Sequence, residues 1–147
     1  MIGLAGRLHP VLVHFPVALI VTAGVAEGVF VASRDRRAET VARVLILVGA
    51  WVSIPAVLTG MAAASRHTFE PAELATFSIH RIVALVLPVI CFLATALAAS
   101  SRHTGQIWEL WLYRVFLAIA VALALVAGWT GGWIAHGPLL TILLPAR

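Results

Sequence analysis

Residues Val115–Ala135 read VFLAIAVALALVAGWTGGWIA, 21 positions without a charged side chain. At 1.5 Å of rise per residue, about 20 such residues cross the hydrocarbon core of a bilayer. His136-Gly137-Pro138 then ends the run, because proline cannot continue a helix. Working back along the chain, Ile82–Ser101 and Val44–Ser65 are uncharged runs of the same kind. The earliest runs from Leu8 to Ala26 and continues past Glu27 to Ser33. It is too long for the apolar core of a signal peptide and lacks a small-residue cleavage pattern, so it reads as a span. The expected fold is all-α, an integral membrane four-helix antiparallel bundle. It forms one transmembrane domain over 1–147, with helices at about 11–33, 42–64, 80–101 and 111–136.

Composition agrees. Hydrophobic residues make up 62% of the chain and charged residues 11%, against about 45–50% and about 25% in soluble domains. A water-soluble globule of this size cannot bury so much apolar surface, and disorder needs the opposite composition. A soluble enzyme is thereby excluded. All ten basic residues are Arg, scattered between apolar blocks rather than gathered on one face, so no nucleic-acid partner is expected. They act as topology signals. Arg34, Arg36, Arg37, Arg43, Arg102 and Arg114 fall on one side of the expected topology; Arg7, Arg66, Arg81 and Arg147 fall on the other, with Glu70 and Glu73. The positive-inside rule then puts both termini on the periplasmic side. The single cysteine, Cys91, allows no intrachain disulfide and no c-type haem attachment.

The histidines carry the chemistry. His9 and His14 stand at the start of the first helix, His67 follows the second, His80 opens the third and His136 closes the fourth. Antiparallel packing gathers these five at one membrane face, with His103 alone on the Arg-rich face. Ionisable side chains within spans are costly and mark functional sites by default. Imidazole ligates haem iron, Zn, Cu and Ni. Helices one and three are diagonal partners in such a bundle, and His14 with His80 is the best expected axial pair for a haem b. His9 and His136 would form a second pair, bind another metal, or hydrogen-bond propionates. Arg81 is a natural propionate partner, since guanidinium pairs with carboxylates bidentately. His67 reads as an interfacial anchor and His103 as a loop residue.

Other features read more plainly. Glu27 is expected to pair with Arg34 or Arg114, with a proton-accepting or quinone-bordering role as the alternative. Trp108 and Trp111 suit an interfacial belt, while Trp129 and Trp133 suit packing more than a cofactor pocket. Gly24-x-x-x-Gly28 and Gly128-x-x-x-Gly132 permit close helix approach. A weak internal symmetry is expected, since helices one and three both begin near a His. The apolar strip Leu139–Pro145 is too short to span and suits an interface or a partner subunit.

The string Leu8-His9-Pro10-Val11-Leu12-Val13-His14-Phe15-Pro16-Val17-Ala18-Leu19 resembles the opening motif of a bacterial membrane family catalogued as domain of unknown function 2231. His80 at the head of the third helix agrees with it, as does Gly131-Gly132-Trp133-Ile134-Ala135-His136-Gly137. The resemblance covers essentially the whole chain; Pro138 and the apolar stretch beyond it depart from the family's usual tail. It implies the four-helix architecture, a bacterial inner membrane location, and His9, His14, His80 and His136 as the site. Members sometimes accompany cytochrome c-like domains, which suits electron transfer.

The leading expectation is a small membrane cytochrome b-like subunit with bis-His haem b near the outer face. It would pass electrons between a periplasmic redox partner, such as a cytochrome or a larger redox complex, and the quinone pool. One haem is expected, or two if His9 and His136 form a second pair. An electron-transfer subunit is expected rather than a stand-alone enzyme, because no carboxylate pair, Ser-His-Asp set or phosphate loop is present. The alternatives are a Cu or Zn site built from the same histidines and a non-redox anchor subunit.

Overall fold

In the computed structural model, which describes residues 8–136, four long helices account for almost the whole of that segment. They are α1 (His14–Ser33), α2 (Arg36–Ala64), α3 (Pro71–Thr104) and α4 (Ile107–His136). A helical turn from Leu8 leads into α1, so the first span runs Leu8–Ser33. The interruption falls at Val13, whose backbone stays helical at φ −65° and ψ −24°. Pro16 has no N–H for the Leu12 carbonyl, which loosens the ladder at that point. All four helices are long and apolar enough to cross a membrane.

The bundle is two hairpins. Arg34-Asp35 joins α1 to α2, and Gly105-Gln106 joins α3 to α4. Arg34 and Gly105 both close their helices in the left-handed region, at φ 60° and φ 69°. Asp35 caps α2 by accepting from the Arg37 N–H at 2.8 Å. Packing is closest within the hairpins, α1 on α2 and α3 on α4; α2 on α3 and α1 on α4 then close the ring. Helices one and three are therefore diagonal, as expected.

Helix starts differ from those read off the apolar runs. α2 begins at Arg36 rather than 42, α3 at Pro71 rather than 80, and α4 at Ile107 rather than 111. The cause is common to all three: charged residues in the opening turns, such as Arg36, Glu39, Glu73 and Glu109, lie before the start of each uncharged run. α3 carries its start signal openly, with Pro71 in the first turn and the Glu73 carboxylate accepting from the Glu70 N–H at 3.1 Å.

The core is narrow and made largely of small residues. Ala23, Ala42, Ala50, Ala94, Ala120 and Ala124 are fully buried, and a Cβ on Gly24 would meet Val121 at 2.7 Å. Such seams let helices approach closely where lipid removes the hydrophobic drive for association. Large apolar side chains point outward instead, with Val25, Leu58, Ile82 and Trp129 each more than half exposed. That surface fits lipid and not water.

A repeat underlies the two hairpins. At a constant offset of 71 residues, His9 matches His80, Arg43 matches Arg114, and Ala56-x-x-Thr59-Gly60 matches Ala127-x-x-Thr130-Gly131. The left-handed caps Arg34 and Gly105 stand at the same offset, as do the fully buried pairs Ala23/Ala94 and Ile20/Cys91. The hairpins thus relate by an approximate two-fold along the bundle axis, the arrangement of parallel internal repeats.

Candidate functional site

The repeat places one histidine of each hairpin on the same kind of support. His9 Nδ1 lies 3.0 Å from the Ala56 carbonyl and 3.3 Å from Thr59 Oγ1. His80 Nδ1 lies 3.0 Å from Thr130 Oγ1 and beside the Ala127 carbonyl. These contacts fix the tautomers. A carbonyl can only accept, so His9 donates from Nδ1. Thr130 spends its own proton on the Val126 carbonyl at 2.8 Å, so its oxygen accepts from His80 Nδ1–H. In both rings Nε2 is then left as a bare lone pair, the ligating form of imidazole.

Glycine makes room for each ring. A Cβ on Gly60 would sit 2.8 Å from His9 Cε1, and one on Gly131 would sit 3.1 Å from His80 Cε1. Both histidines are partly buried, and they lie near enough for a charge on one to act on the other. The two histidines thus stand on diagonal helices at the same end of the bundle.

The other expected site residues fall elsewhere. His14 is exposed, its Nδ1 donating to the Pro10 carbonyl of its own helix at 2.6 Å. His9, and not His14, therefore has the same kind of support as His80. Neither His14 nor Arg81 has a repeat counterpart, since Leu85 and Pro10 stand at the matching positions. Arg81 is exposed directly after His80. His67 is exposed and faces Glu73, Nε2 to Oε2 at 3.5 Å. His136 ends α4, and its side chain lies outside the described residues, as does the Leu139–Pro145 strip. Among the described residues, no three His, Cys, Asp or Glu side chains converge to hold a metal ion. Cys91 is fully buried in the core cluster.

At the opposite end a polar network ties the hairpins together. Glu27 is buried and accepts from Arg114 Nε at 2.8 Å and from the Tyr113 hydroxyl at 3.1 Å. The expected ion pair is thus made with Arg114 and not Arg34. Arg43 is nearly buried; it pairs with Glu39 at 2.8 Å, donates to the Ala98 carbonyl and lies 5.3 Å from the Tyr113 ring centroid. Glu27 and Ala98 are themselves 71 residues apart. Each hairpin's second-helix Arg therefore reaches the same position on the first helix of the other hairpin.

Four apolar helices, an outward-facing aliphatic surface and, among the described residues, side-chain hydrogen bonds between helices at the two ends define a multi-pass integral membrane protein. The chain belongs to the family described as a predicted membrane protein, DUF2231, whose model matches residues 6–138. No curated protein and no solved structure matches the chain.

Proposed function

We propose that the protein is a small electron-transfer subunit of cytochrome b type, with His9 and His80 as the axial ligands of one haem b. One observation carries the reading: two repeat-related imidazoles stand on diagonal helices at one end of the bundle, each with Nδ1–H committed to its own hairpin and Nε2 free. Hydrogen bonding of the distal ring nitrogen orients ligating histidines and raises their basicity. Near-two-fold symmetry would offer like imidazoles to the two faces of a planar macrocycle. The residues present therefore fit the group; when bound, it would supply one-electron transfer.

The protein's own part is positional. Ala56, Thr59 and Thr130 hold the imidazole tautomers, Gly60 and Gly131 admit the rings, and the aliphatic shell excludes water. Arg81 is the expected counter-ion for a propionate. A two-ligand site is favoured over a Cu or Zn site of three or four ligands, because no three His, Cys, Asp or Glu side chains converge among the described residues. Quinone, a periplasmic cytochrome or a larger redox complex are the partners such a subunit would serve. The Arg distribution supports a topology with both termini, and with them the histidine end, on the periplasmic side.

The test is a pair of absorption spectra, oxidised and dithionite-reduced, on protein purified in mild detergent from haem-replete cells. Sharp reduced bands of six-coordinate haem b are expected. His9→Ala or His80→Ala should abolish them, while His14→Ala and His103→Ala keep full haem content. A colourless protein from such cells would overturn the reading in favour of a bare anchor, and elemental analysis would show any Cu or Zn.

A further inference from the structure

An open cleft of about 430 Å³ lies at the Arg-rich end, between the start of α2 and the turn joining α3 to α4. Arg36, Arg43 and Arg102 line it with the single carboxylate of Glu39. Glu39 is spent on its neighbours, paired with Arg36 and Arg43 at 2.8 Å each. Among the described residues Arg102 has no carboxylate partner and is exposed at the cleft wall. The cleft therefore carries two positive charges in excess. Glu109, held just outside the lining by Ser100 and Thr104, offsets only part of that excess.

The repeat shows that the fold does not require the charges at Arg36, Glu39 and Arg102. The equivalent junction, between the start of α4 and the end of α1, carries Ile107 where α2 has Arg36, Leu110 where it has Glu39, and Val31 where α3 has Arg102. Three of the charged positions of the cleft, Arg36, Glu39 and Arg102, thus have aliphatic counterparts in the other half, while Arg43 is matched by Arg114. The start of α4 at Ile107 also directs the positive end of a long helix to the cleft. Guanidinium matches phosphate oxygens bidentately, and basic pockets between helix ends at a membrane surface suit anionic headgroups.

We propose that this cleft is a phosphate-binding site at the membrane surface, its phosphate presented by an anionic lipid headgroup or as free phosphate. Arg102 supplies the unpaired guanidinium, and Arg36 the second free edge. Arg43, held by Glu39 and Ala98, contributes fixed charge from behind. This site lies at the opposite end from the histidines and does not depend on the haem reading.

The experiment is a tryptophan-fluorescence titration of the full chain in neutral detergent, since Trp108 and Trp111 stand beside the cleft. The probes are phosphatidylglycerol, phosphatidylcholine and inorganic phosphate at matched ionic strength. Saturable binding of phosphatidylglycerol and not phosphatidylcholine assigns the lipid source; saturable binding of inorganic phosphate assigns the soluble one. Arg102→Gln and Arg36→Gln should each weaken the binding about fivefold. Arg102→Lys should weaken it less, and Arg37→Gln, a charge at the same end outside the cleft, should leave it unchanged. Absence of saturable binding of either probe, or equal effects of Arg102→Gln and Arg37→Gln, would overturn the proposal.

Discussion

Gly60 and Gly131 show how single residues set the geometry of the histidine end. Each faces an imidazole edge, and a Cβ would approach His9 Cε1 to 2.8 Å and His80 Cε1 to 3.1 Å. His9 is further pinned by the Ala56 carbonyl, so its ring cannot retreat without breaking that bond. Gly60→Ala is therefore expected to cost about 1–3 kcal/mol through overpacking, and Gly131→Ala somewhat less. Gly132 is the control, because a Cβ there meets nothing within 4 Å. Its replacement by Ala should be neutral, or stabilising by up to about 1 kcal/mol. Unfolding of the three variants in mixed micelles would order them; equal stability of Gly60→Ala and Gly132→Ala would refute the contact. The histidines themselves stood out in the sequence as charges within apolar runs. Their ranking did not: His14 looked deeper than His9, yet the loosened turn at Val13 leaves His14 outward. The Thr59-Gly60 and Thr130-Gly131 supports are legible only as a repeat, and that repeat is masked by intervening pairs as unlike as His14 and Leu85 or Arg36 and Ile107.

At the scale of the elements, apolar run length located four helices but not their ends. Charged opening turns hid the starts of α2 and α3, although Asp35 and the Pro71-x-Glu73 pattern were available as capping signals. The helix ends at the two tight turns make a matched pair. Gly105 adopts φ 69° without steric cost, while Arg34 adopts φ 60° with a Cβ in the way. Arg34→Gly is expected to stabilise the first hairpin by about 1 kcal/mol, and Gly105→Ala to destabilise the second by about as much. Thermal unfolding in detergent reads both, and the two shifts should have opposite sign. Shifts of the same sign would show that something other than the left-handed cap governs these turns.

At the scale of the whole molecule, the hairpins are the units and the Arg-rich end is their clasp. Each histidine is supported within its own hairpin, His9 on α2 and His80 on α4, but the pair exists only when the hairpins dock. Docking rests on the alanine seam and on two cross-hairpin anchors: Arg43 to the Ala98 carbonyl, and Glu27 to Arg114 and Tyr113. Buried polar groups of this kind add little net stability when complete but cost about 3–5 kcal/mol when one partner is removed. The connection between the hairpins, Ser65 to Glu70, carries no such anchor. Cutting the chain there and co-expressing the two halves should therefore give a complex that copurifies through a tag on one half. Glu27→Leu or Arg43→Met should abolish copurification, because each strands the partners of the removed group. The joint change Glu27→Leu with Arg114→Leu should restore much of it, since no unpaired charge remains. Persistence of the complex in Arg43→Met would place the docking energy in the alanine seam alone. Recovery in the double variant would instead show that the ion pair selects the register in which His9 meets His80.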